Sequence, residues 1–71
     1  MKLYETKPGY SGAITSIHGD TRFLSRITSI GLTVGCKIEI MQNEKRQPVL
    51  LLVRDSLIAV NRNDCARIEV E

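Results

Sequence analysis

The spacing of apolar positions in this chain changes most sharply across a pair of glycines, Gly31 and Gly35. Phe23, Ile27 and Ile30 recur at i, i+4 and i+7, and Leu24 widens the same stripe, which predicts a short amphipathic helix. Gly31 stops it: with Gly31 left-handed, Ile30 is the C-cap and Leu32 lies opposite Ile27, the apolar contact of a Schellman ending. Thr33-Val34-Gly35-Cys36 then fits a type II turn, because its third residue needs positive φ and glycine supplies it without strain. Beyond that turn the period falls to two. Cys36, Ile38 and Ile40 share one face, with Lys37, Glu39 and Met41 on the other.

The same reading extends in both directions. Leu3 and Tyr4 are placed to anchor the first residues on the core. Lys7-Pro8-Gly9-Tyr10 carries a second type II signal, Pro at i+1 and Gly at i+2. Gly12 to Ile17 reads as strand one, and Ile14 with Ile17 breaks alternation, so a bulge or bend is expected there. His18 to Thr21 is a loop in which either Asp20 or Thr21 can cap the helix. After the polar loop Asn43 to Gln47 and Pro48, Val49 to Val53 is apolar on both faces. Arg54-Asp55-Ser56 connects it tightly to Leu57-Ile58-Ala59-Val60, giving a hairpin. Asn61 to Cys65 is a polar turn, and Arg67 to Glu71 alternates with Ile68 and Val70 inward.

Five short strands with one helix after the first predict a mainly β fold, a small five-stranded barrel closed on itself. Closure would also remove exposed edges. Seventy-one residues make one domain, 1–71, of modest stability. The hydrophobic fraction of 42% suffices for a core without disulfides or a structural metal. Ten basic against eight acidic residues is too balanced for a dedicated nucleic-acid binder. Two cysteines without a C-x-x-C, an N-terminus without the apolar stretch of a signal peptide, and no apolar run beyond Val49–Val53 give the expectation of a cytoplasmic chain that does not insert in membrane.

No catalytic constellation is visible. His18 is the sole histidine, in a loop where a solvent-facing role outweighs metal ligation or pH sensing. Cys36 faces inward by alternation, and no three or four ligands converge by spacing, so no metal or cofactor is expected. The phosphate-loop pattern is absent, and Gly31 and Gly35 serve backbone turns. Arg22, Arg26, Lys45, Arg46, Arg54 and Arg62 read first as a solvated polar face. Their functional version is a landing site for an acidic partner surface or anionic membrane. Leu50 and Leu52 cannot face the same way as Val49, Leu51 and Val53, and are left over as interface candidates unless the helix covers them.

Taken in order, the blocks resemble a known family. Leu3 with Pro8-Gly9, Gly12 and Ile14; Ile30-Gly31-Leu32 with Gly35, Ile38 and Ile40; Pro48 with Val49, Leu51 and Val53; and Ile58-Ala59-Val60 with Cys65, Ile68 and Val70 resemble FeoA, the small SH3-like accessory proteins of bacterial ferrous iron uptake. The resemblance spans essentially the whole chain. Val34 stands where the family often has proline, and Lys45-Arg46-Gln47 where a glycine and an acid are common. Cys65 occupies the family's usual alanine position, which implies a small buried apolar side chain, and free cysteine behaves as one.

The resemblance implies an SH3-like barrel without catalysis of its own, acting on the membrane ferrous iron transporter FeoB, which carries a cytosolic GTP-binding domain. Expected contacts are apolar, from Phe23, Leu32 and Val34, with Arg26 at the rim; Leu32 and Val34 are expected on an exposed turn. A weak homo-oligomer is left open. The rival readings are a nucleic-acid- or ribosome-associated barrel and an iron- or zinc-sensing domain.

Overall fold

Local chemistry sets the corners of the structure, a computed structural model that describes residues 1–71. After a 3₁₀ turn at Leu3–Glu5 come Ser11–Ile17 (β1), Thr21–Ser29 (α1), Lys37–Gln42 (β2), Val49–Val53 (β3), Ser56–Val60 (β4), Arg62–Cys65 (α2) and Ile68–Val70 (β5). Asp20 caps α1, its Oδ1 accepting from the Phe23 N–H at 2.8 Å. At the other end Gly31 has φ +106°, the Gly31 N–H donates to the Thr28 carbonyl, and the Leu32 N–H donates to that of Ile27. That pair of bonds is the predicted Schellman ending. Gly35 (φ +91°) then carries the predicted turn, closed by the Cys36 N–H on the Thr33 carbonyl at 3.1 Å. The turn is also stitched to β1: the Gly35 N–H reaches the Ile14 carbonyl at 2.7 Å, and the Ile14 N–H reaches that of Cys36. The turn at Lys7–Tyr10 forms in the same way, with Gly9 at φ +91° and the Tyr10 N–H on the Lys7 carbonyl.

All strand pairs are antiparallel, in the order β4-β3-β2-β1-β5. The mainly β architecture and the inserted helix agree with the sequence pattern, but the barrel is not closed by hydrogen bonds: β4 and β5 do not pair. The reason is that β5 is three residues long and its far side is already taken. Lys2 bridges to Glu69, the Val70 N–H donates to the Met1 carbonyl at 2.7 Å, and the Met1 ammonium donates back to the Val70 carbonyl. The N-terminal 3₁₀ turn packs on α2 and β5 and fills the gap that a closing strand pair would have filled.

The expected bulge in β1 lies between Ile14 and Ser16, and a second, not predicted, interrupts β2 between Ile40 and Gln42. Fifteen buried residues form one core; Phe23 and Ile27 supply the share of α1, while Leu24 and Ile30 stay largely outside it. The helical stripe is thus narrower than its apolar residues suggest. Leu3 is fully buried, as expected, whereas Tyr4 is exposed. Thr6, the one buried polar residue, donates its hydroxyl to the Leu3 carbonyl at 2.8 Å.

Candidate partner-docking surface

The four residues expected to meet a partner divide into two kinds. Phe23 is 3% exposed, and the guanidinium groups of Arg26 and Arg67 both lie over its ring, 5.3 and 5.0 Å from its centroid. Both cations meet the negative face of the ring. Arg26 remains open to solvent and bonds Asp64 Oδ2 at 3.0 Å, tying α1 to α2. Leu32 corrects the expectation of an exposed turn: the Schellman ending turns it inward and it is wholly buried. Val34, at the tip of the next turn, is 62% exposed. Arg26 and Val34 are therefore the accessible members, with Phe23 and Leu32 beneath.

A larger apolar surface lies on the outer face of β2, β3 and β4. Direct cross-strand partners share a face, so Leu52 with Leu57 and Leu50 with Ala59 all point outward. Leu57 is 62% exposed, Leu50 and Leu52 are half-buried, and Met41 is exposed on β2. Helix α1 does not cover this face: its buried side chains belong to the inner core. The sequence marked Leu50 and Leu52 but missed Leu57. Its connection is two residues, not three, with Arg54 and Asp55 both at positive φ (51° and 67°). One residue in the loop reverses every side chain of the following strand. Beside this face an open groove of about 610 Å³ runs past Gly12, Lys37, Glu39, Leu52, Arg54 and Glu71, carrying both signs of charge.

The chemistry-bearing side chains do not converge. His18 Nε2 lies 3.0 Å from Ser16 Oγ on an exposed stretch, with no carboxylate or cysteine in a shared cluster. Both cysteines are buried and free. Burial pushes the Cys65 thiol up to about 11, against a smaller opposing pull from Arg62, and Asp64 adds to the rise. Its Sγ donates weakly to the Val60 carbonyl at 3.7 Å. A thiol so held is a packing group, not a nucleophile. No group of three or more His, Cys, Asp or Glu side chains is arranged to hold a metal ion, and no helix is long and apolar enough to cross a membrane.

The basic residues do not form one patch. Arg62 donates to the carbonyls of Glu44 and Gln47 at 2.8 and 3.0 Å, latching α2 to the loop before β3. Arg26 is paired, while Arg22, Lys45, Arg46 and Arg54 stand exposed without an ionic partner.

The family model described as the FeoA domain matches residues 1–71. The crystal structure of an iron uptake regulatory protein, FeoA, superposes with a TM-score of 0.94 at 25% identity, covering 100% of this chain and 95% of that one. The solution structure of the FeoA protein from Chlorobium tepidum gives 0.87 at 26%, covering 100% and 69%. A manganese-dependent transcriptional repressor gives 0.90 at 15%, covering 99% of this chain and 40% of that one, a likeness of fold alone. No curated protein matches.

Proposed function

The chain belongs to the FeoA family, and from that premise we propose that it serves ferrous iron transport as a cytoplasmic accessory protein that docks on the membrane transporter FeoB and modulates its transport or GTP-linked activity. The observation that carries this reading is the family match running unbroken over residues 1–71. The physical arrangement supports a role exercised by contact. The inward side chains are used up in one packed core, and the polar groups that could react are scattered. Any GTP chemistry belongs to the partner. Arg26 and Val34 make the contact; the Phe23 ring supports the Arg26 guanidinium, and buried Leu32 fixes the turn that presents Val34.

The test is capture of the transporter's cytosolic part by the chain and by the double variant Arg26→Glu, Val34→Asp. Both sites are exposed, so the circular dichroism spectrum should keep its folded shape although the Arg26–Asp64 tie between α1 and α2 is lost, while affinity falls about tenfold or more, roughly 1.4 kcal/mol or above. Equal capture by the variant would reject this surface. Normal ferrous iron uptake in cells lacking the chain would reject the role itself.

A further inference from the structure

We propose that the outer edge of β4 is a strand-acceptor site, taking an extended segment of another protein whose apolar side chains alternate and whose ends are acidic. The inference is independent of the surface around Arg26 and Val34. In an antiparallel ladder, opposed residues alternate between pairs that exchange both backbone bonds and pairs that exchange none. Val53 and Ser56 flank the two-residue turn and form an exchanging pair, as do Leu51 with Ile58 and Val49 with Val60. The N–H and C=O groups of Leu57 and Ala59 therefore point away from β3, and neither residue makes a backbone bond elsewhere. Ser56, Leu57 and Ala59 are exposed, so nothing covers that edge.

Proteins ordinarily blunt such edges with charge, proline or a bulge. The β4 segment Ser-Leu-Ile-Ala-Val has neither charge nor proline, and its register with β3 runs through five pairs without a shift. The opposite edge of the sheet shows what protection looks like: Met1 and Lys2 lie along β5, with Lys2 paired to Glu69. A strand added at β4 gains main-chain bonds from Leu57 and Ala59, while alternate side chains rest on the outward Leu57 and Leu52.

Charge selects the occupant. Lys45, Arg46, Arg54 and Arg62 stand at the two ends of this hairpin against Glu44 and Asp55 in the same places, an excess of two positive charges there, while Lys37, Glu39 and Glu71 line the groove on the β2 side. Complementarity of this kind steers and orients partners. It also disfavours a second copy of the chain, because symmetric antiparallel pairing about Ile58 sets Arg54 of one copy against Arg62 of the other.

The probe is a short synthetic peptide of alternating valine and threonine flanked by glutamates, with a lysine-flanked peptide of the same centre as control, followed by amide exchange and NMR shifts of the full chain. The acidic peptide should slow exchange at Leu57 and Ala59 by about tenfold when near saturation, and the lysine peptide should not. Ala59→Pro removes one edge donor at a position where proline is tolerated, and Leu57→Glu sets a like charge against the acidic peptide without touching the core; both should abolish the protection. No protection at β4 with either peptide overturns the proposal, as does equal protection by both. Protection that rises with chain concentration alone overturns it in favour of self-pairing.

Discussion

Phe23 and Cys65 show what one residue decides in this fold. The helical period places Phe23 on the buried side of α1, but its roof, Arg67, comes from the far end of the chain, and no local pattern announces that pairing. Cys65 has a testable cost. Its thiol keeps its proton in the folded state up to about pH 11, whereas the unfolded chain releases it near 9. The stability contributed by this protonated thiol is complete below pH 9 and is lost as the pH rises from 9 to 11, by about 3 kcal/mol in all. In Cys65→Ala that portion of the alkaline decline should vanish, when urea midpoints of the two proteins are compared across pH 8 to 11. Parallel midpoint curves would contradict the assignment.

At the scale of elements, legibility followed conformation. The corners at Gly31 and Gly35 could be read because positive φ is cheap only for glycine, and the glycines stand where the period changes. The β3–β4 turn was obscured because Arg54 and Asp55 occupy the left-handed region themselves. A two-residue hairpin loop of this kind favours Asn-Gly. Replacing Arg54 and Asp55 by Asn and Gly should stabilise the protein by about 1 kcal/mol, seen as a higher urea midpoint with an unchanged slope. The β2 bulge after Ile40 escaped notice for a related reason: alternation continues on either side, and the extra residue shows only in the pairing with β3. Of the candidate surface, the sequence supplied Arg26, Val34, Leu50 and Leu52. It misplaced Leu32, whose burial follows from the same Schellman bond that the sequence did predict.

Across the whole molecule, the open seam between β4 and β5 makes the first residues structural. Leu3 is fully buried against a core it joins from outside the sheet. A chain of this length is stable by roughly 4–10 kcal/mol, and truncating a buried leucine costs about 2–5. Leu3→Ala should therefore lower the thermal midpoint by well over ten degrees or leave the chain unfolded, by calorimetry; a shift of only a degree or two would show that the seam does not depend on it. The two sealed thiols offer a view of how this body comes apart. Cys36 lies where the turn joins β1, Cys65 on α2, so a thiol-reactive dye becomes a pair of clocks in different parts of the fold. Equal labelling times would mean that the shell opens in one piece, whereas a faster Cys65 would mean that the seam unzips first.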